Sequence, residues 1–261
     1  MSAAAETKTI VLIHGLWVTT DSWAPFKGRL EAAGYTVHTP TWHVLQGASA
    51  EHLNHYPPPA LGTLSLKTIV DGLQAFIETL PEKPLLIGHS FGGLFTQKLL
   101  DRGVGVAGVA INPAPIGGIL HGPTTLTAAL PILARWNGWG RPYAFTRARW
   151  ARRYANAAPK AQQDEAYDSY VIPTSGRVVA QAAFWLGTGI DPKRRTVPLL
   201  ITAGDQDRLI TPYMSKAAYG IQKRSAARTD YRLFPGRSHL LIAEPGWEEV
   251  CDYALEWARG L

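Results

Sequence analysis

The chain has 261 residues, of which 46% are hydrophobic and 18% are charged, a composition typical of a globular domain and unlike that of a disordered protein. Its one cysteine, Cys251, cannot form an intramolecular disulfide, which excludes a disulfide-stapled secreted fold. The 26 Lys and Arg residues outnumber the 20 Asp and Glu residues, and this excess by itself permits binding to nucleic acid or to an anionic membrane.

The N-terminal segment, Met1–Thr9, lacks the order of a signal peptide, in which basic residues precede an apolar run. We therefore expect a cytoplasmic protein. The longest stretch without Asp, Glu, Lys or Arg, residues 103–134, could span a bilayer by length, but prolines and glycines interrupt it repeatedly. It predicts a buried strand followed by an apolar loop region, and we expect no stable membrane association.

The first third of the chain predicts a strand, a helix and a second strand. Residues 10–13 are apolar and mostly β-branched, as in a strand buried on both faces. Apolar residues recur with helical spacing over 23–33, and 35–39 predicts the next strand. Residues 41–62 include three consecutive prolines and show no sustained period, which predicts a long loop.

The alternation continues from Ser65, which is a plausible N-cap for a helix that ends before Pro81. A short strand at 85–87, a glycine-rich turn, a helix over 92–102 and a strand at 106–111 follow. Short apolar strands that alternate with amphipathic helices predict an α/β fold, with a mostly parallel sheet covered by helices on both faces.

The alternation fails between Asn112 and Thr196 and resumes with a strand at 197–202. A helix over 213–221, a strand at 231–234 and a final amphipathic helix complete the chain. We therefore predict a core domain formed by residues 1–112 and 196–261, with an inserted, largely helical cap formed by residues 113–195.

The sequence Gly88-His89-Ser90-Phe91-Gly92 follows a predicted strand and opens a predicted helix, the context that the Gly-x-Ser-x-Gly nucleophile elbow requires. Glycines on both sides of the serine allow the chain to pack closely at such a sharp, strained turn. A serine becomes an effective nucleophile only when a base accepts its proton and an acid orients that base.

Candidate acids and a candidate base occur in the expected order downstream. Asp205 and Asp207 directly follow the strand at 197–202, and His239 follows the strand at 231–234. Both loops begin where strands end, which is the edge at which open α/β sheets place their sites.

With these segments and His14-Gly15-Leu16-Trp17, the sequence resembles the α/β-hydrolase superfamily over nearly its whole length, in particular its capped serine esterase and haloperoxidase-like branch. The resemblance implies that Asp207, and not Asp205, is the acid, and that Ser90, His239 and Asp207 form a catalytic triad. It also implies that the backbone N–H groups of Leu16 and Phe91 form the oxyanion hole. It requires no metal and no organic cofactor. A serine at position 90 disfavours the dehalogenases and epoxide hydrolases of this fold, which use a carboxylate there.

Several other patterns have simpler explanations. Residues 103–108 match Gly-x-Gly-x-x-Gly but follow a helix and open a strand, the reverse of a dinucleotide-binding site. His43, His52 and His55 lack a carboxylate at ligand spacing, so we predict no metal site. Aromatic residues could hold the cap to the core or line the substrate pocket. Six residues are candidates for substrate binding: Trp17, Trp136, Trp139, Tyr143, Trp185 and Leu240.

The sequence thus favours an esterase acting on a small to medium, moderately apolar substrate. A lactonase, a methylesterase, a perhydrolase-like enzyme or a lipase would use the same three residues, and a ligand-binding receptor on a hydrolase fold is a further alternative. We expect no nucleic-acid partner, and the oligomeric state is left open. The positive charge is concentrated in residues 103–163, which hold seven basic residues and no acidic one. These basic residues either form a solvated helix face or attract anionic substrates or anionic surfaces.

Overall fold

Six parallel strands form the central sheet of the computed structural model, which describes residues 6–261. Their order across the sheet is β2-β1-β3-β4-β7-β8, and every neighbouring pair is parallel. The strands are β1 (Thr9–Ile13), β2 (Thr36–His38), β3 (Leu85–His89), β4 (Ala107–Ile111), β7 (Leu199–Gly204) and β8 (Thr229–Phe234). A separate antiparallel pair joins β5 (Pro142–Tyr143) to β6 (Thr174–Ser175).

Helices connect the strands and cover both faces of the sheet. They are α1 (Ala24–Ala32), α2 (Ala50–His55), α3 (Pro59–Thr63), α4 (Leu66–Glu78), α5 (Phe91–Asp101), α6 (Pro123–Leu133), α7 (Arg147–Arg153), α8 (Lys160–Tyr170), α9 (Gly176–Ala183), α10 (Pro212–Gln222) and α11 (Trp247–Arg259). Short 3-10 helices lie at Thr20–Trp23, His43–Leu45 and Gly138–Gly140. The predicted α/β fold is confirmed.

Alternate residues of each central strand belong to two different hydrophobic cores. Val11 and Ile13 pack into the core that contains α4 and α5, whereas Ile10 and Leu12 pack into the core that contains α1 and α11. Because side chains of a strand point alternately to opposite faces, the two cores lie on opposite sides of the sheet. Every residue of β1, β3, β4 and β7 is buried, which explains why these strands read as continuous apolar runs.

Two predicted loop regions contain helices. The region 41–62, expected to be a long loop, contains α2 and α3, and the Ser49 side chain caps α2 by accepting from the His52 N–H. The region 113–134, expected to be an apolar loop, contains α6. Helices α2 and α3 have only six and five residues, so they are too short to show a helical period in the sequence.

Residues 113–195, called here the inserted segment, contain α6 to α9 and the small antiparallel sheet. They contact the loops at the carboxyl ends of β1 and β7. Thr125 Oγ1 donates to the Leu209 carbonyl at 2.6 Å, and the Ile172 N–H donates to the Trp17 carbonyl at 2.9 Å. The inserted segment therefore lies over the edge of the sheet where Ser90 is found.

The prediction for Met1–Thr9 rests partly on residues 1–5, which lie outside the described part of the chain. Between residues 6 and 261 no helix has both the length and the hydrophobicity needed to cross a membrane.

Candidate active site

Ser90 lies on the turn between β3 and α5 with φ 57° and ψ −122°. This left-handed φ is unusual for a residue with a side chain and is a strained conformation. The glycines around it permit the turn: a side chain at Gly88 would collide with the Gly92 backbone, and one at Gly92 would collide with the Ile13 carbonyl. The turn therefore requires glycine at both positions, as the elbow motif predicts.

His239 and Asp207 meet in a buried pair. His239 Nδ1 donates to Asp207 Oδ2 at 2.6 Å, and both side chains are fully buried. The other carboxylate oxygen, Asp207 Oδ1, accepts the N–H groups of Leu209 and Ile210, each at 2.8 Å. Asp205 instead accepts the Gly236 N–H at an exposed position. Of the two candidate acids, the structure places Asp207 against the histidine.

The second nitrogen of His239, Nε2, is buried and has no hydrogen-bond partner among residues 6–261. Ser90 is also buried, with 1% of its surface exposed, and the structure shows no hydrogen bond between Ser90 Oγ and His239 Nε2. Such contacts are often long in the absence of substrate. Nε2 is thus the one nitrogen of this ring that is free to accept a proton.

His89 and Tyr154 both contact the ring of His239. The ring centroid of His239 lies 4.7 Å from that of His89 and 4.5 Å from that of Tyr154. His89 Nε2 is 2.7 Å from the His239 carbonyl, and because a carbonyl can only accept, His89 carries its proton on Nε2. Burial and the neighbouring His239 hold the pKa of His89 well below its usual value. These contacts, with His89 neutral, fix the orientation of His239.

Asn112 is part of the site although its sequence pattern gave no indication of it. Its Nδ2 donates to Asp207 Oδ2 at 2.8 Å and to the Ser238 carbonyl at 3.2 Å, while its Oδ1 accepts the Gly204 N–H at 2.8 Å. Asn112 has φ 42° and is completely buried. It therefore links the end of β4 to both loops that carry Asp207 and His239. The available signal was its position, directly after a buried strand.

A second buried carboxylate supports the loop that carries His239. Glu244, 2% exposed, accepts the Ser238 N–H at 2.7 Å and the Ser238 hydroxyl. Burial raises the pKa of Glu244, and the two Ser238 hydrogen bonds oppose this shift. Glu244 thus holds the residue that precedes His239.

The turn His14-Gly15-Leu16 packs against the elbow. A Cβ atom at Gly15 would lie 2.8 Å from Ser90 Cβ and 3.3 Å from the Phe91 nitrogen, so glycine is required at this close approach. Among the described residues, neither the Leu16 N–H nor the Phe91 N–H has a hydrogen-bond acceptor. Two free backbone donors therefore flank Ser90. His14 is buried and stacks on Trp42, and burial lowers the pKa of His14 to about 4.

A mostly apolar cavity opens beside Ser90. It encloses about 520 Å³ of empty space, open mouth included. Apart from Trp17, Ser90 and Phe91, its walls come mainly from α6, α9 and the loop after β7. The lining residues are Trp17, Ser90, Phe91, Pro115, His121, Thr125, Leu126, Ala128, Ala129, Val179, Ala182, Ala183, Leu209 and Ile210.

Of the six residues predicted to bind substrate, Trp17 lines this cavity and the other five do not. Trp185 lies one layer behind, stacked on the lining residue His121. Trp139 lines a different surface hollow, and Trp136 is 86% exposed. Tyr143 accepts a hydrogen bond from Arg149, and Leu240 is buried in the core.

The basic residues of 103–163 do not line the cavity. Two of them, Arg147 and Lys160, pair with the carboxylates of Asp164 or Asp168 just beyond this range. No group of three His, Cys, Asp or Glu side chains within residues 6–261 is arranged to hold a metal ion.

Solved structures with the same fold include enzymes with different names. Polyneuridine aldehyde esterase is 15% identical with a TM-score of 0.67, and the superposition covers 97% of this chain and 100% of that chain. A monoacylglycerol lipase from Paleococcus ferrophilus is 20% identical with a TM-score of 0.65, covering 97% and 94% of the two chains. Tomato methylketone synthase I is 15% identical with a TM-score of 0.71, covering 97% and 98%.

A search of curated proteins found no match. The family itself is nevertheless clear, because a sequence model of the Alpha/beta hydrolase family matches residues 10–252, which include the elbow, the acid and the histidine. The chain belongs to the Alpha/beta hydrolase family.

Proposed function

We propose that this protein is a serine hydrolase that cleaves carboxylic esters of small to medium, moderately apolar substrates. The observation that carries the proposal is the coincidence of three features at one edge of the sheet. These are a serine on a strained elbow, a buried histidine–carboxylate pair and an apolar cavity that the serine lines. The names of two structural relatives, an esterase and a lipase, agree with this activity.

The reaction begins when Ser90 Oγ attacks the acyl carbonyl carbon and its proton passes to His239 Nε2. The carbonyl oxygen becomes an oxyanion that accepts hydrogen bonds from the Leu16 and Phe91 N–H groups, which have no other acceptor among the described residues. When the tetrahedral intermediate collapses, the C–O bond to the alcohol breaks and the alcohol leaves with the proton of His239. Water then attacks the acyl carbon while His239 takes its proton. The C–O bond to Ser90 breaks, the proton passes from His239 to Ser90 Oγ, and the carboxylic acid is released.

Asp207 orients the histidine and stabilises its charged form. Its carboxylate accepts four hydrogen bonds, from His239, Asn112, Leu209 and Ile210. These donors fix the carboxylate, so that the proton on His239 Nδ1 points to Oδ2 and Nε2 is left to act as the base.

The inserted segment, residues 113–195, acts in this proposal as the cap that shapes the substrate cavity. Both α6 and α9 contribute walls of the cavity. Small side chains on these helices, among them Ala128, Ala129, Ala182 and Ala183, line the cavity and leave room beside Ser90. A cavity without charged lining residues suits an uncharged acyl group.

Hydrolysis of p-nitrophenyl acetate and butyrate tests this function. We expect turnover by the wild-type protein and a fall in kcat of roughly 10⁶-fold in Ser90→Ala, because the nucleophile is lost. Ser90→Ala should keep the wild-type unfolding temperature, which shows that the fold is intact. Undiminished turnover in this variant would contradict the proposal, and so would tight ligand binding by the wild type without any turnover, which is the behaviour of a receptor.

A further inference from the structure

Exposed hydrophobic side chains are concentrated on the inserted segment. Eleven large hydrophobic residues of the described chain are exposed, and eight of them lie between Leu120 and Leu186. Six define what we call the outer apolar face: Leu126, Leu130, Trp136, Trp139, Phe184 and Leu186, exposed by 46%, 56%, 86%, 51%, 62% and 60%. Scattered single hydrophobic residues are ordinary on protein surfaces, but a concentration of this kind marks an interaction site.

The elements that carry the outer apolar face pack on one another. Helix α6, the 3-10 helix Gly138–Gly140 and helix α9 are in mutual contact. Trp139, Phe184 and Leu186 line one surface hollow together with Arg177. Leu126 is exposed and also lines the cavity beside Ser90. The face is therefore continuous with the mouth of the candidate active site.

Positive charge borders this face: Arg177 lines the hollow with Trp139, and Arg135 and Arg141 lie on either side of the 3-10 helix Gly138–Gly140, where they line a neighbouring hollow. Arg135, Arg141 and Arg177 are exposed, and none of them forms an ion pair with a residue in 6–261. The sequence contains no acidic residue in 103–163 or in 169–190. The arginines of the face are thus unlike Arg147, which pairs with Asp164 and Asp168.

A second copy of the chain fits this face poorly. In a two-fold dimer the same patch meets itself, so three arginines would face three arginines with no carboxylate between them. Exposed tryptophan and leucine beside arginine suit the boundary between lipid headgroups and acyl chains, where the rings enter the interface and the guanidinium groups bind phosphate.

We propose that the outer apolar face docks reversibly on an anionic lipid surface, with the mouth of the cavity turned towards the lipid. The residues expected to enter the headgroup region are Trp136 and Trp139, and the residues expected to contact lipid phosphates are Arg135, Arg141 and Arg177. Such docking is peripheral and weakened by salt, and it differs from the stable membrane association that we do not expect from the sequence. It does not depend on the proposed ester hydrolysis.

Sedimentation with vesicles tests the docking, using full-length Ser90→Ala so that no lipid can be cleaved through Ser90. We expect binding to vesicles of phosphatidylcholine mixed with phosphatidylglycerol, weaker binding at high salt, and little binding to phosphatidylcholine alone. Replacing Arg135, Arg141 and Arg177 together by Gln should weaken binding roughly 100-fold, and Trp136→Ser with Trp139→Ser should also weaken it.

Matched controls use exposed positions on the core. Tyr213 and Leu233, replaced together by Ser, are 61% and 41% exposed outside the inserted segment and should leave binding unchanged. Replacing Lys223, Arg224 and Arg232, which are exposed on the core, together by Gln removes the same charge elsewhere and should change binding much less. The proposal is overturned by equal binding to both vesicle types, by no binding, or by equal losses in the control variants. Self-association that Trp136→Ser and Trp139→Ser abolish would also overturn it, because the face would then hold a second copy.

Discussion

The central sheet and the inserted segment place their hydrophobic side chains differently. Four of the six strands of the sheet are buried at every residue, whereas most exposed large hydrophobic residues of the described chain lie between 120 and 186. Charge also differs, since the inserted segment has 11 basic and 4 acidic residues, whereas the rest of the chain has 15 basic and 16 acidic residues. In the proposed function, the sheet holds the reacting groups, while the inserted segment provides contact with substrate and surroundings.

The largest effect on activity should come from replacing Asp207, the buried carboxylate at the edge of the sheet. Asp207→Asn is expected to lower kcat by about 10⁴-fold, because His239 then loses the acceptor that orients it and stabilises its charge. Asp205→Asn is the matched control two residues away, and it should keep nearly full activity. Steady-state hydrolysis of p-nitrophenyl butyrate measures kcat of both variants. Equal losses of kcat would contradict the assignment of Asp207 as the residue that orients His239.

The buried histidine beside the elbow should make the sheet region sensitive to acid. The folded pKa of His14, about 4, lies below its unfolded value of 6.5. Its contribution to stability is therefore present above pH 6.5 and lost as the pH falls towards 4. This pKa shift corresponds to a change of about 3 kcal/mol in the free energy of unfolding. His89, also with a lowered pKa, acts in the same direction.

The difference in unfolding free energy between wild type and His14→Asn isolates the contribution of His14. Chemical denaturation at several pH values measures it, and the difference should change by about 3 kcal/mol between pH 7 and pH 4. A difference that stays constant with pH would show that His14 is as accessible to protons in the folded protein as in the unfolded one.

The buried amide of Asn112, between the loops that carry Asp207 and His239, should matter for stability. Asn112→Ala leaves the Gly204 N–H unpaired and removes a donor from Asp207, at a cost of about 2 kcal/mol. Asn137 is the control, because it also has a positive φ but is exposed and has no such bonds. Asn137→Ala therefore reports the backbone strain alone. Equal shifts in the unfolding midpoint would mean that the hydrogen bonds of Asn112 contribute nothing.

The inserted segment should control the choice of acyl group with little effect on the chemistry. Ala129→Phe fills part of the cavity and should lower kcat/KM for the hexanoate ester relative to the acetate ester by roughly 15-fold. The phenyl ring leaves room for two fewer methylenes of the hexanoyl chain, and each buried methylene contributes about 0.8 kcal/mol. Leu130→Phe is the neighbouring control on the outer side of α6. If Ala129→Phe slows both esters equally, the cavity does not hold the acyl chain.

The sequence was sufficient for the four central strands because each is a local apolar run, and Ser90 and Asp207 follow two of these runs closely. It could not reveal Asn112 as part of the site, since its contacts join residues 95 and 126 positions apart. Nor could it show Glu244 beneath Ser238, because nothing local distinguishes a buried carboxylate from a solvated one. These contacts exist only once the loops have come together.

The inserted segment was predicted less well, for a physical reason. Its aromatic residues look alike in the sequence, yet Trp150 is completely buried, Trp185 stacks on His121 behind the cavity and Trp136 is 86% exposed. Which of these environments a side chain occupies depends on how the helices of the segment lie on the sheet, and no local period encodes that arrangement.

The central claim, that Ser90 is the nucleophile of an acyl transfer, is tested most directly by mapping a covalent adduct. The protein is treated with a fluorophosphonate, digested, and analysed by mass spectrometry, with Asp207→Asn treated in parallel. We predict one phosphonyl group per chain, located on Ser90, and much slower labelling of Asp207→Asn because its histidine is misoriented. An adduct on another residue, or ester turnover that persists while Ser90 is fully labelled, would contradict the account.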